Sequence, residues 1–371
     1  MRGARACDLL RSMTDPTRLP SMQDTPADPS LRDLSFQDLG TAEYAALLTL
    51  AHPEKPTDAV NLERLAAGRL PGEHHSQRGA FLGGALVGAV QTGVPGMDNH
   101  DGWLDLTVTL HPEYRRSALA DALVEYGLEV LRAAGARVAV TRLREGWWEA
   151  GYLLRRGWAE HDRMWSSVLD LRTLDFAAFA AEEARALAGG VRIVSLADLT
   201  APGADPWDTH PREHYDLIRT LLTDVPSATP VQVWPFEIWR MRMPQRELDP
   251  RGLMIAVAPD GAWVGTSQLA QTLPAQPGHL HNGLTGVRRE WRGHGLGLAL
   301  KLAAARAALA RGFTHSHTGN HTGNAPMLAI NERLGFTREA AMLTLRRSVE
   351  GGQSAGEAAR AFVSSMASPS E

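Results

Sequence analysis

Cysteine is nearly absent from this sequence, and the single one, Cys7, lies in a leader rich in Ser, Pro and Asp. A disulfide framework and a cysteine-built metal site are therefore excluded, and we expect no nucleophilic role for Cys7. No apolar run reaches the roughly 18 residues that a membrane span needs. Because no apolar signal segment follows Arg2 and Arg5, we expect a soluble cytoplasmic protein.

An excess of positive charge is also missing, since 38 Lys and Arg face 42 Asp and Glu, for a net charge of −4. We therefore expect neither a nucleic acid nor a membrane as partner. A chain of 371 residues, 44% of them apolar, is long enough for two cores. Two domains are the natural expectation.

An internal repeat at an offset of 177 residues supports two domains. Leu110–Leu123 aligns with Val287–Leu300, with Glu, an aromatic residue and Arg in the same order, and both segments open an apolar helix. Both predicted helices end at a glycine, Gly135 and Gly312. The predicted organisation is a disordered leader at 1–28, a first copy at 29–175, a linker at 176–190, a second copy at 191–347 and a flexible tail at 348–371.

The mixture of strands and helices predicts an α+β fold for each copy, with a mixed, mostly antiparallel central sheet flanked by helices. In the second copy we expect strands at 191–196, 252–258, 262–272, 279–288, 314–318 and 340–346. We expect helices there at 212–223, 235–243, 296–311 and 324–334.

Three alternating glycines, Gly293, Gly295 and Gly297, stand where the strand 279–288 gives way to a helix. A helix start has unpaired N–H groups and a partial positive charge, and glycine removes the side chains that would cover them. With Arg292 at the rim, the segment predicts a cradle for a diphosphate. It lacks the Gly-Lys-Ser/Thr of a P-loop and the Gly-x-Gly-x-x-Gly of a dinucleotide-binding turn. A glycine-rich turn without a ligand stays an alternative.

The segment Arg292–Gly297 resembles the Arg/Gln-x-x-Gly-x-Gly/Ala acyl-CoA loop of the GCN5-related N-acetyltransferases (GNATs). Asn324–Phe336 is similar to a second motif of that family, in which the Asn contacts the cofactor. The resemblance implies two tandem GNAT-like domains, acetyl-CoA as co-substrate, no metal, and a strand His281–Val287 that splits from its neighbour and pairs with the pantetheine arm. The residues it implies for cofactor binding are Thr285, Gly286, Val287, Arg292, Gly293, His294, Gly295, Leu296, Gly297, Leu298 and Asn324.

The catalytic residues follow less directly from the resemblance. Many family members have a Tyr at the position of Asn331, where an amide could hydrogen-bond the departing thiolate but not protonate it. His281 is a candidate general base, with Glu237 and Asp224 as alternatives. Asn324 could instead be a helix N-cap, and Asn331 an ordinary polar residue on a helix face.

The first copy has lost the features of the loop. Arg116, Ala118 and Ala120 align with the three glycines, Asp121 adds a carboxylate at the helix start, and Gly146 aligns with Asn324. The acid favours the helix dipole but would repel a diphosphate. We expect this copy to bind acyl-CoA poorly, and to shape the acceptor site or support the fold.

The sequence thus predicts an N-acetyltransferase that moves an acetyl group to a primary amine of a small molecule by direct attack, with chemistry in the second copy. A non-catalytic acyl-CoA sensor is the alternative. His315, His317 and His321 could suggest a metal, but no carboxylate accompanies them in sequence, so we expect none. We expect a monomer or homodimer.

Overall fold

The computed structural model describes residues 31–70, 72–95, 100–226, 231, 233–242, 248–271 and 277–349. The predicted leader, Cys7 and the tail beyond residue 349 lie outside these ranges. Strands there are β1 Leu34–Asp38, β2 His75–Leu82, β3 Ala85–Gly93, β4 Trp103–Leu110, β5 Val138–Arg144, β6 Ala159–Asp170, β7 Arg192–Ser195, β8 Leu248–Val257, β9 Trp263–Gln271, β10 His279–Val287, β11 His315–His321, β12 Thr337–Arg338 and β13 Met342–Ser348. Helices there are α1 Thr41–Ala51, α2 Ala59–Ala67, α3 Ser117–Ala133, α4 Trp148–Arg155, α5 Ala180–Leu187, α6 Pro206–Thr209, α7 Pro211–Thr223, α8 Phe236–Arg242, α9 Leu296–Ala310 and α10 Ala325–Arg333.

The predicted repeat is present in the structure. Helices α3 and α9 end 177 residues apart, and the glycines that follow, Gly135 and Gly312, both have positive φ, at 80° and 84°. The predicted strand 279–288 and helix 324–334 are observed within one residue of their expected ends. The predicted strand 262–272 is observed to Gln271, and residue 272 lies outside the described ranges.

The described strands form one mixed sheet in which the two halves are interleaved. Its order is β1-β2-β3-β4-β5-β13-β6-β11-β10-β9-β8-β7, and β12 pairs beside β6. The last strand, β13, pairs with β5 of the first half over seven residues. Strand β6, which closes the first half in sequence, pairs with β11 of the second. Each half therefore receives its closing strand from the other, which the repeat pattern did not predict.

The hydrophobic cores follow the same exchange. Leu343 and Leu345 of β13 pack in the core of the first half. Leu169 of β6 and Leu171, just after β6, pack in the core of the second. Burying one leucine side chain contributes about 1.5–3 kcal/mol. The two halves therefore share the stabilisation of both cores.

Part of the predicted linker is the helix α5, which packs along α9. Glu183 binds Arg306 of α9 with both carboxylate oxygens, at 2.5 and 2.6 Å, and Glu182 binds Arg333 of α10 at 2.7 Å. The linker helix is thus held by ion pairs to both helices that follow the glycine loop. Among the described helices, none combines the length and apolarity that crossing a bilayer requires.

Candidate active site

Strands β10 and β11 separate in the middle of the second half. They pair in parallel only from His279 to His281. Thr318 Oγ1 donates to the Asn282 carbonyl at 2.9 Å just beyond the last pair. On its other edge β10 continues to pair with β9, after a register shift between Asn282 and Thr285. The stretch after Asn282 therefore has one edge turned to a gap, as the resemblance implied.

The register of β10 determines which backbone groups face this gap. Arg288 N–H donates to the Val264 carbonyl at 2.8 Å, which marks a hydrogen-bonded pair with β9. Bonded and non-bonded pairs alternate along an antiparallel ladder, so Gly286 also bonds to β9. Thr285 and Val287 therefore direct their N–H and C=O groups toward the gap.

The glycine loop continues directly from this edge. Gly293 and Gly295 have φ of 81° and 85°, a region that favours glycine, and residues 292–295 are exposed. Helix α9 begins only at Leu296, so its first-turn amides lack intrahelical acceptors. No acceptor within the described ranges takes the N–H of residues 293–295. A Cβ on Gly295 would lie 3.3 Å from Ala186 Cβ, so a side chain there would be crowded as well as strained.

The first turn of α9 offers backbone rather than side chains. Leu296 and Leu298 are buried in the core. A Cβ on Gly297 would lie 3.4 Å from Ile330 Cδ1, at the edge of an ordinary contact. The His294 side chain is exposed. The predicted loop residues thus come together around a patch of unshielded amides.

Asp224 neutralises part of the positive charge at this loop. Its carboxylate accepts from Arg289 at 2.9 Å and from Arg292 at 2.6 Å, and these hydrogen bonds lower the pKa of the Asp224 carboxyl. Arg292 Nε also donates to the Val287 carbonyl at 2.9 Å. Two cations on one anion leave one net positive charge at the rim. Because it is held ionised by two arginines, Asp224 is poorly suited as a general base.

Asn324 precedes α10, and Asn331 lies on it. Asn324 is its N-cap, and its Oδ1 accepts from Met327 N–H at 3.4 Å. Asn331 is 3% exposed, and its Nδ2 donates to Asn320 Oδ1 on β11 at 2.6 Å, which leaves Asn331 Oδ1 as the other end. The other end has no partner within the described ranges. If the O and N atoms of both amides are exchanged, the hydrogen bond between Asn331 and Asn320 is kept with its direction reversed. The free end of Asn331 can therefore be either the donor or the acceptor.

His281 lies at the paired end of β10, about 20 Å along the strand from Val287 at 3.3 Å per residue. It lines a cavity whose other walls belong to the first half. His281 is exposed on this side, and desolvation by the cavity walls together with the nearby His317, Lys301 and Lys55 lowers the pKa of its imidazole. It is therefore neutral at pH 7 and can accept a proton, although only weakly.

The other histidines predicted from β11 make separate contacts. His317 Nε2 lies 2.8 Å from His279 Nδ1, and His315 stacks on His279. His321 Nε2 lies 2.9 Å from an Asp162 carboxylate oxygen. Within the described ranges, no group of three His, Cys, Asp or Glu side chains is arranged to hold a metal ion.

A buried lysine that the sequence-based predictions missed connects α9 to β10. Lys301 Nζ donates to Asn282 Oδ1 at 2.7 Å, and Asn282 Nδ2 donates to Ser267 Oγ at 2.9 Å. Ser267 Oγ in turn lies 2.9 Å from Thr285 Oγ1. The chain of contacts reaches the residue that borders the gap. Its signal in the sequence is a single lysine within the Leu/Ala run of α9.

The first half has a different arrangement at the corresponding helix start. Asp121 accepts from Arg156 Nε and Nη2 at 2.8 and 2.9 Å, and Tyr152 also donates to it. The side-chain ion pair stands where the second half has Leu298 and open backbone. Strands β4 and β5 nevertheless diverge after three parallel pairs, as β10 and β11 do.

Comparison with known proteins gives a family for part of the second half. Residues 215–336 match the model of the acetyltransferase (GNAT) family. Over 347 residues the chain is 24% identical to a mycothiol acetyltransferase from Arthrobacter sp. (strain FB24), covering 91% of this chain and 92% of that protein.

Solved structures share the fold of the whole described molecule. A tandem GNAT protein from the clavulanic acid biosynthesis pathway is 20% identical, with a TM-score of 0.66, over 86% of this chain and 100% of that one. A GCN5-related N-acetyltransferase from Sphaerobacter thermophilus is 19% identical, with a TM-score of 0.62, over 86% and 97%. At these identities the likeness shows the fold alone.

Proposed function

We propose that this chain moves an acetyl group from acetyl-CoA to a primary amine of a small molecule. The chain has the fold of tandem GNAT proteins, and its residues 215–336 match the GNAT acetyltransferase family. The observation that carries the proposal is one continuous backbone surface. The open edge of β10 leads into the unshielded amides of the glycine loop. Such a surface suits an extended arm that ends in a diphosphate.

The proposal assigns each part of the surface a role. The amides of residues 293–298, with Arg292, would hold the diphosphate, and the edge of β10 would pair with the pantetheine arm. Free N–H groups and positive φ at two exposed glycines fit this use. The proposed binding residues are Thr285, Gly286, Val287, Arg292, Gly293, His294, Gly295, Leu296, Gly297, Leu298 and Asn324.

In the proposed reaction the amine nitrogen forms a bond to the acetyl carbon as the carbon–sulfur bond breaks. The backbone N–H group of Val287 would donate to the developing oxyanion. His281 lies about 20 Å along β10 from Val287, so the proton that the amine loses would reach it only through a chain of water molecules. With the amides of Asn331 and Asn320 both flipped, Asn331 Oδ1 would accept from Asn320, and Asn331 Nδ2 would donate to the departing sulfur, which leaves as a thiolate.

The small-molecule acceptor is supported by the similarity over 91% of this chain to a mycothiol acetyltransferase. The proposal also includes action in the cytoplasm, a monomer or homodimer, and domains at 29–175 and 191–347. The identity of the amine is left to an unbiased screen, because fold alone does not select an acceptor.

The test is release of free thiol from acetyl-CoA over a panel of small primary amines, with wild type and Gly295→Asp. The substitution places an anionic side chain at a positive-φ position beside the amides, so we expect turnover and acetyl-CoA binding to be lost. Gly261→Asp is the matched control, because Gly261 also has positive φ but lies in the β8–β9 turn with open space around it. It should keep both properties.

Two outcomes would contradict the proposal. Turnover that survives Gly295→Asp would show that the loop does not hold the co-substrate. Binding of acetyl-CoA without thiol release for any amine would favour the non-catalytic acyl-CoA sensor. The presence of Asn331 where many family members have a Tyr also favours that alternative.

A further inference from the structure

Four polar side chains lead in a line from α9 to the gap beside β10. Lys301 Nζ donates to Asn282 Oδ1 at 2.7 Å, and Asn282 is buried just beyond the last residue pair of β10 and β11. Asn282 Nδ2 donates to Ser267 Oγ at 2.9 Å, and Ser267 Oγ lies 2.9 Å from Thr285 Oγ1. The roles proposed above use the backbone of Thr285, but neither its hydroxyl group nor the other three side chains.

Lys301 fixes the orientation of the Asn282 amide. A charged lysine nitrogen has three donors and no acceptor, so only the oxygen of the amide can face it. The amide nitrogen must then point the other way, toward Ser267 Oγ and the Gln268 carbonyl, at 2.9 and 3.1 Å. Lys301 thus settles which end of the amide is oxygen, a choice that a neutral hydroxyl group in its place would leave open.

The orientation of Asn282 determines in turn the direction in which the Ser267 hydroxyl group donates. Ser267 is fully buried, and its oxygen already accepts from Asn282. Within the described ranges, the one acceptor at hydrogen-bond distance from Ser267 Oγ is Thr285 Oγ1. A buried hydroxyl group without an acceptor is costly, so Ser267 donates to Thr285 rather than the reverse. The O–H group of Thr285 is then left to donate, and none of the described residues accepts from it.

This free O–H group lies close to the N–H of Val287, the proposed donor to the oxyanion. Thr285 and Val287 share the α9 face of β10, because a Cβ on the intervening Gly286 would contact Leu221 of α7 on the opposite face. The Val287 nitrogen is about 5–6 Å from Thr285 along the strand. One oxygen atom at about 2.9 Å from each donor can therefore accept from both.

We propose that the Thr285 hydroxyl group is a second donor to the acyl oxygen during acetyl transfer, and that Lys301 is a positioning residue that directs this donor through Asn282 and Ser267. The proposal rests on the function proposed above for the open edge of β10. As the amine nitrogen bonds to the acetyl carbon, an electron pair of the C=O bond moves onto the oxygen, which accepts from Thr285 without taking its proton. The pair returns as the carbon–sulfur bond breaks.

Two ligands that differ in one oxygen atom test the role of Thr285. S-Ethyl-CoA is acetyl-CoA with the acyl C=O replaced by CH₂, so it cannot accept the hydrogen bond. In calorimetric titrations at pH 6.5, Thr285→Val should weaken acetyl-CoA about three- to tenfold, as for the loss of one hydrogen bond, and leave S-ethyl-CoA unchanged. The kcat for thiol release, with the fastest amine of the panel, should fall roughly tenfold or more.

Two further variants control for the shape of the side chain. Thr285→Ser keeps a hydroxyl group at the same position, so it should retain most of the kcat and the preference for acetyl-CoA. Thr344→Val makes the same substitution at a half-buried threonine of β13, away from the gap, and should leave both properties unchanged.

Combined variants test the role of Lys301. Burial lowers the pKa of the Lys301 ammonium to about 7, so most of it is charged at pH 6.5. Lys301→Met should reproduce the losses of Thr285→Val with a melting temperature at or above that of wild type, because a buried ammonium that faces a neutral amide costs stability. The double variant should lose no more than Thr285→Val alone, since Lys301 acts through that hydroxyl group.

Other results would overturn the proposal. Wild-type kcat in Thr285→Val, equal weakening of both ligands, or no recovery in Thr285→Ser would contradict the role of Thr285. Additive losses in the double variant, or unchanged binding and kcat in Lys301→Met, would contradict the role of Lys301. If wild type binds neither ligand, the proposed function fails as well. If wild type binds acetyl-CoA but releases no thiol, the difference between the two ligands still decides whether Thr285 donates to the acyl oxygen.

Discussion

Lys301 shows how a single residue can carry an electrostatic cost inside a core. It is one of two lysines in the chain, and its side chain is almost fully buried on α9. Its Nζ has the Asn282 amide oxygen as hydrogen-bond acceptor and lies 5.0 Å from the Phe336 ring centroid. No carboxylate within the described ranges forms an ion pair with it. Burial lowers the pKa of the Lys301 ammonium to about 7.

This shift predicts a pH-dependent stability. In the unfolded chain the pKa is about 10.4, so between pH 7 and 10 the unfolded state binds a proton that the folded state has released. The free energy of unfolding should therefore rise with pH across that window. Lys301→Met has a side chain of similar length without a charge. It should be more stable than wild type at pH 7, and the difference in the free energy of unfolding should be smaller at pH 9.5. Urea unfolding at both pH values measures this, and a pH-independent difference would refute it.

At the scale of elements, the two copies differ most where their long helices begin. The helices end in equivalent positions, but α3 begins at Ser117, which aligns with His294, whereas α9 begins two residues later at Leu296. Gly295 is in the left-handed conformation and cannot be part of a helix. The glycines thus delay the start of α9 and leave amides free, while the first copy closes the turn.

Helix α10 provides a prediction that separates capping from cofactor contact. Asn324→Asp keeps an oxygen that can cap the helix, so stability should change little, whereas Asn324→Ala should lose about 1 kcal/mol. If Asn324 also contacts acetyl-CoA, both variants should weaken acetyl-CoA binding. Thermal unfolding and calorimetric titration measure the two effects. Normal binding by Asn324→Asp would leave Asn324 with a capping role alone.

At the scale of the molecule, the exchange of β6 and β13 makes the halves depend on each other. Residues 29–175 alone would lack β13, so β5 would lose its antiparallel partner, and Leu343 and Leu345 would be missing from the first core. Their absence would expose a sheet edge and an apolar face. The tandem arrangement is thus one sheet with two cores rather than two independent units.

A substitution in the last strand should therefore be felt in the first half. Leu345→Ala removes a fully buried side chain and should cost about 2–5 kcal/mol. Hydrogen exchange should become faster at the β5 amides, 200 residues earlier in the chain. Leu65→Ala, at an exposed leucine, is the control and should leave β5 protected. Unchanged β5 exchange in Leu345→Ala would mean that the exchanged strand contributes little to the first core.

Local pattern was enough to predict much of this protein. Glycine positions and helix periodicity, which depend on residues close together in the sequence, predict the repeat, the ends of α9 and α10, and the exposed glycine loop. The sequence could not predict that Asp224 would hold Arg289 and Arg292, because those residues are about 65 positions apart and meet only through the fold.

The sequence by itself determined the two copies, their α+β elements and the glycines that keep one helix start open, because each depends on neighbouring residues. Only the tertiary structure decided which strand completes which half and that Lys301 is buried beside Asn282. These features depend on contacts between distant segments. Because the two copies resemble each other, the sequence of a strand does not specify which half it pairs with.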